Sequence, residues 1–303
     1  MLTHTPVMPK EVIKFLAPHA DENFIDATCG LGGHSRLILE KTAPKGQLLA
    51  IDQDIVALNQ ARKNLAQFQA RITWAHANFA ELGLIIKDWP VKKINGILFD
   101  LGVSTYQLTA PERGFSFNAP AKLDMRMAPE SQRLTAGDIV NQWDAHSLKR
   151  ILKNFGEEPF AAKIAREIIR VRQNRPIETT DELVAVIKRA LPPSYRASRE
   201  KHFATATFRA LRMAVNNELA VLENGLKQAL QVLSPGGRIV VIAFHSLEDR
   251  IVKNFFRENE NRPANRQGLK ILTEKPVTAS AEEIKTNPKA RSAKLRAAVK
   301  NKF

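Results

Sequence analysis

Within "FIDATCGLGGHS" the chain places Asp26, Gly30, Gly32 and Gly33 in one short bend, and Asp52 follows twenty residues after Gly32. Glycines between an apolar run and a helical run let a ligand approach the backbone closely. A dinucleotide site needs G-x-G-x-x-G, and Ser35 stands where the third glycine belongs. A P-loop needs a lysine directly after its glycines, and none follows. The better match is the S-adenosylmethionine pattern acid-x-Gly-x-Gly-x-Gly, with Asp26 as the acid and Thr28 in place of the first glycine. That ligand has no phosphate, so side chains at positions 30, 32 and 33 would obstruct it. Asp26 can attract its ammonium and Asp52 can accept both ribose hydroxyls. The bend is read as a nucleoside holder. Helix capping or turn chemistry is the competing role for either acid.

Further candidates follow the same logic. Phe79 can cover an adenine face, or it can be a core phenylalanine. Asp100 in "FDLGVS" stands where amino-group methyltransferases carry a polar residue beside a tight turn; its structural alternative is a salt-bridged acid. His245 follows "RIVVIAF" and can contact a substrate or make a structural hydrogen bond, while Ser246 with Asp249 is expected to cap the next helix. In "RGFSF", Phe115 and Phe117 can stack on an unpaired base or anchor the loop.

These residues need a scaffold with several strand ends on one edge. "NFIDAT", "QLLAID", "ITWAHAN" and "INGILFDLG" read as strands, separated by the helical patterns "SRLILEKT" and "DIVALNQARKNLAQF". This alternation predicts an α/β fold, a Rossmann-like, mostly parallel, doubly wound sheet with an inserted helical domain. Ligands then bind beyond the carboxyl ends of the strands. After Gly102 the pattern turns irregular, then helical and basic, with Thr179 and Glu182 as a capping box. One long helix is expected from the apolar positions Phe208 to Leu226, before "RIVVIAF" resumes the sheet. The expected division is 1–107 with 204–303 as one discontinuous domain and 108–203 as the insertion. No element is assigned after Glu258.

The 303 residues carry 46 Lys and Arg against 31 acids, a net charge of +15. Residues 1–107 are nearly neutral at +1, whereas 145–212 and 250–303 carry +8 and +9. Segregated positive charge points to a polyanion, most simply nucleic acid. The single cysteine, Cys29, excludes an internal disulfide and a cysteine-based metal cluster in one chain, and fits a reducing cytoplasm. No metal ligand is assigned, since no ligand group has diagnostic spacing, and a metal requirement is left open. No secretion signal or membrane span is read, so a membrane is not an expected partner. Whether the chain forms a homodimer is left open.

"GLGGHSRLIL", "AIDQD", "DLGVS", "ERGFSF", "LDMRM", "FGEEPFAAKIAR", "PGGRIVVIAFHSLEDRIVK" and "NPKARSAKLR" together resemble the bacterial 16S ribosomal RNA cytosine-N4 methyltransferases. The resemblance runs from His4 to about Arg296. It implies S-adenosylmethionine as cofactor and, as acceptor, the exocyclic N4 of a cytidine in the decoding region of the small ribosomal subunit. It implies cofactor contacts from Gly32, Gly33, His34, Asp52, Phe79, Asp100 and Gln107. The chain departs from the family at Thr105-Tyr106, where Ser-Pro is usual, and at "HFATA", which lacks the usual Pro and Arg.

An amine delocalised into a cytosine ring is a weak nucleophile, so positioning and electrostatics are the expected tools. Asp100, or backbone carbonyls of the turn after it, would accept the amine's hydrogens; Asp100 can instead only orient the cofactor. Three competing readings remain at this stage. They are an NAD-dependent oxidoreductase, a non-catalytic RNA-binding assembly factor, and a DNA amino-methyltransferase, which would normally show a polar-Pro-Pro-aromatic turn in place of "DLGV".

Overall fold

The computed structural model describes residues 5–198, 202–260 and 268–302. His4, where the resemblance begins, lies outside them, as do 199–201 of an expected loop and 261–267 of the basic tail. Seven strands form one sheet among the described residues: β1 (Phe24–Asp26), β2 (Leu48–Asp52), β3 (Ile72–His76), β4 (Gly96–Asp100), β5 (Arg238–Ala243), β6 (Leu269–Ile271) and β7 (Lys294–Lys300). Their order is β3-β2-β1-β4-β5-β7-β6. The first five pair in parallel, while β7 runs antiparallel to both β5 and β6.

Alternating side chains bury both faces of the central strands, which is why these runs are continuously apolar. Ile25, Leu49, Ile51, Ile97, Phe99, Ile239 and Val241 join one core with Leu222, Leu226, Val252 and Phe256. Phe24, Leu48, Ala50, Leu98, Val240 and Ile242 join the other with Val12, Leu16, Ile38 and Leu39. Strand order reverses between β1 and β4, the switch point at which open α/β sheets leave a crevice. Asp26, Asp52 and Asp100 are the last residues of β1, β2 and β4.

The chain divides into two compact units, 1–104 with 219–303, and 105–218. The insertion therefore ends fifteen residues later than the 203 expected from sequence. The physical reason is the helix Thr205–Val215, which packs on Ala136–Gln142 and Ala145–Asn154 inside the second unit. The single long helix expected from Phe208 to Leu226 is also broken in two. Asn217 takes a left-handed backbone with φ +48°, a conformation asparagine tolerates better than most residues. The next helix is Glu218–Val232. Asn216 fixes the break by accepting from the Met127 amide and donating to the Met125 carbonyl, both at 2.8 Å.

In the second unit Thr179 and Glu182 form the capping box of Thr180–Ala190. Part of the loop expected after Pro192 is a short helix, Pro193–Ala197. The tail left unassigned forms β6, the helix Ala281–Thr286, a 3-10 turn at Pro288–Ser292, and β7. Among the described residues, no helix is long and apolar enough to cross a membrane.

Candidate functional site

Gly30 and Gly32 adopt left-handed backbones, with φ +52° and +86°. A Cβ at Gly32 would stand 2.8 Å from Leu65 Cδ1, so glycine is required there on two counts. The helix Gly33–Lys41 follows at once, and its N-cap supplies no side-chain hydrogen bond.

Both carboxylate oxygens of Asp26 are engaged within the protein. It is buried, with Oδ1 accepting from the Thr28 amide (3.2 Å) and Oδ2 from the Ser35 hydroxyl (2.7 Å). Burial lifts its pKa above the ordinary carboxylate value, against the opposing pull of Ser35 and His34. Ser35, the residue that spoils a dinucleotide fingerprint, is thus the brace between the loop and β1. Cys29 lies 3.5 Å from the same hydroxyl, and burial pushes its thiol well above the usual value. A buried, protonated thiol of this kind is unreactive.

Asp52 joins β2 to the loop. Its Oδ2 accepts from the Gly30 amide at 2.7 Å and its Oδ1 from the Asp54 amide at 2.8 Å. Desolvation raises its pKa to about 6, although these two amides work in the other direction. The capping role considered for Asp52 belongs to Asp54, which caps Ile55–Asn64. Each Asp52 oxygen keeps a further lone pair, enough to take a vicinal diol.

Asp100 donates its backbone amide to the Thr28 hydroxyl at 2.6 Å, which ties β4 to the glycine loop. Its Oδ2 stands 3.5 Å from His34 Nε2. His34 is 5% exposed, and neither ring nitrogen has a hydrogen-bond partner, nor has Asp100 Oδ1. Buried polar atoms are nearly always satisfied. Three such atoms on two adjacent side chains leave hydrogen-bonding capacity that a bound polar group would satisfy, and the residues fit the amino-acid end of S-adenosylmethionine. Only the family resemblance pointed to His34; the local signal is its place immediately after the glycines.

Phe79 opens a short turn capped by Asn78, whose Oδ1 accepts from Ala80. Its ring meets Phe99 edge-on, with centroids 5.3 Å apart. A Cβ on Gly225 would approach Phe79 Cδ2 to 2.5 Å, so the absence of a side chain there seats the ring. Sequence reasoning gave Gly225 no role.

The helix after β5 departs from expectation. Its cap is His245, not Ser246: Nδ1 accepts from the Glu248 amide (3.4 Å), and Glu248 Oε2 accepts from the amides of Phe244 and His245. Asp249 instead pairs with Arg296 at 2.6 Å.

Gln107 belongs to the second unit, buried in the helix Thr105–Thr109. There Phe115 is buried under the Arg113 guanidinium, an anchor for its loop. Phe117 stacks on His202, with centroids 4.6 Å apart, and meets Phe208 edge-on.

The profile of the MraW methylase family matches residues 1–301. A protein of Syntrophotalea carbinolica named ribosomal RNA small subunit methyltransferase H is 47% identical over 305 residues, covering 97% of this chain and 96% of that one. One of the same name from Geobacter sulfurreducens is 48% identical over 309 residues, covering 98% and 99%. Among solved structures, a SAM-dependent O-methyltransferase from Thermotoga maritima superposes with a TM-score of 0.44 at 10% identity, over 100% of this chain and 69% of that one. That likeness adds nothing to the topology described above.

Proposed function

We propose that this chain, which belongs to the MraW methylase family, transfers a methyl group from S-adenosylmethionine to the exocyclic N4 of a cytidine in the decoding region of 16S ribosomal RNA. The coarser part of that statement, an S-adenosylmethionine-dependent methyltransferase of small-subunit ribosomal RNA, follows the names of its full-length relatives. The observation that carries it is the position of Asp52 and Asp100, with His34 beside Asp100, at the glycine bend on the sheet's switch point. The work is cytoplasmic, on RNA of the small subunit.

When bound, the cofactor supplies an electrophilic methyl on its sulfonium. Asp52 holds the ribose diol, Phe79 covers the adenine, and the backbone of Gly32 and Gly33 lets the ligand lie close. Gln107 completes the set that the family resemblance assigns. Asp100 orients the cofactor's ammonium, and either its carboxylate or a backbone carbonyl of the turn after β4 accepts a hydrogen from the incoming amine. Weak nucleophiles gain most from such fixed placement. His245 serves the fold through its cap, and a cytosine contact is the alternative role that substitution tests. Basic side chains of the insertion and tail hold RNA phosphates without reading sequence.

The test is nucleoside mass spectrometry of unmethylated small subunits incubated with the protein and isotopically labelled S-adenosylmethionine. Labelled N4-methylcytidine is the expected product. A different labelled nucleoside refutes the acceptor, and absence of label despite cofactor binding favours a non-catalytic ribosome-binding role.

A further inference from the structure

Thr28 stands where the S-adenosylmethionine pattern carries its first glycine, a residue with no side-chain oxygen to offer. β1 ends at Asp26, opposite Leu98, whereas β4 runs on to Asp100. The Ala27 amide still reaches the Leu98 carbonyl at 2.9 Å, but Phe99 and Asp100 have no β1 residue opposite them. The Leu101 amide turns toward β5 and donates to the Ile242 carbonyl at 3.0 Å. The Asp100 amide turns toward the β1 side, where Thr28 Oγ1 accepts it at 2.6 Å. A partly buried backbone N–H needs a partner, and here a side chain supplies what the shorter strand cannot.

Thr28 is itself held. Its amide donates to Asp26 Oδ1 at 3.2 Å, and Asp26 Oδ2 accepts from Ser35 at 2.7 Å. The next two amides are pinned to β2, that of Cys29 by the Ile51 carbonyl at 2.9 Å and that of Gly30 by Asp52 at 2.7 Å. Pro6 covers Gly33, where an added Cβ would lie 3.2 Å from the proline ring. The Thr28 hydroxyl is thus a fixed point. From the residue it holds extends the carboxylate whose Oδ2 stands 3.5 Å from His34 Nε2.

We propose that Thr28 is a positioning residue: its hydroxyl holds the end of β4 so that the Asp100 carboxylate keeps its place beside His34. The role is exerted through Asp100 and requires no contact between Thr28 and a ligand. It rests on reading Asp100 as a cofactor contact. Misplacing such a group by about 1 Å can cost about a hundredfold.

A double-mutant cycle on S-adenosylhomocysteine affinity, read by calorimetry on the full chain, tests it. Thr28→Val keeps the branched shape and removes the acceptor. In the wild-type background it should weaken binding by roughly fivefold to fiftyfold. In Asp100→Asn protein it should add less than about twofold, because the charge it positions is already lost. Thr28→Ser restores the hydroxyl and should bind within about threefold of wild type. Thr28→Ala repeats the cycle if the valine variant folds poorly. Equal factors in the two Asp100 backgrounds overturn the proposal, since the hydroxyl would then serve the loop alone. Wild-type affinity in Thr28→Val, or failure of serine to restore it, does the same. Wild-type protein that binds no S-adenosylhomocysteine refutes the cofactor reading itself, and the positioning role falls with it; binding with equal factors refutes the positioning alone.

Discussion

Asp52 should give the protein opposite pH responses in its free and bound states. Desolvation lifts its pKa from 3.8 to about 6. A carboxyl whose folded pKa is raised contributes stability below its unfolded pKa and loses it as pH rises through the folded value. At 1.36 kcal/mol per pH unit, the free protein loses at most about 3 kcal/mol from this group between pH 4 and pH 6. Its partial exposure keeps the true figure lower. Ribose hydroxyls, in contrast, donate to the ionised form. At pH 5 about one carboxyl in ten is ionised, so the Kd of S-adenosylhomocysteine should rise about tenfold between pH 7 and pH 5. Asp52→Asn should abolish that slope. It should also weaken binding by about 1.5–3 kcal/mol at pH 7, since hydrogen bonds to a charged acceptor are lost. Isothermal titration from pH 5 to pH 8, with thermal unfolding of the free protein over the same range, measures both. The buried Asp26, whose pKa is also raised, is present in both proteins, so their difference reports Asp52 together with its coupling to Asp26. A flat wild-type Kd between pH 5 and 7, or the same slope in Asp52→Asn, would refute the reasoning.

Gly225→Ala should press on the Phe79 ring, costing about 1–3 kcal/mol in thermal denaturation as overpacked sites do and weakening S-adenosylhomocysteine binding in parallel. His245→Ala should lose about 0.5–2 kcal/mol with its cap while turnover on saturated small subunits persists; a collapse of kcat at unchanged stability would instead place the imidazole on the substrate. Asp100→Asn should raise the cofactor Kd and, if orientation is its whole role, leave saturated turnover intact in a methyl-transfer assay. RNA affinity measured against salt should fall steeply, and a flat dependence would remove the electrostatic basis for RNA binding.

The sheet was legible in the sequence because its strands are buried on both faces, so periodicity and apolar runs coincide at β1, β2, β4 and β5. The acids ending β1, β2 and β4 were legible for the same reason, since each terminates an apolar run. What each acid does was less visible. Asp26 was expected to meet the ligand, but Ser35 engages it, a pairing nine residues apart that no pattern marks. Residue spacing put the N-cap at Ser246 because serine is the commoner cap, and it missed the reciprocal bonds between His245 and Glu248. The break at Asn217 was hidden because apolar spacing continues across it on both sides. The glycine at 225 and the roof over Gly33 depend on contacts between distant segments, and one chain read from end to end carries no sign of them.

The sheet order has a consequence for biosynthesis. β7 lies between β5 and β6, yet it leaves the ribosome after both. Until Lys294–Lys300 emerges, β6 has no strand to join, and β5 presents "RIVVIA" as an open edge. Such an edge is a template for pairing with another chain. A nascent chain paused just past Ile271 would be at its most aggregation-prone, and β7 would close the vulnerable edge only late in translation.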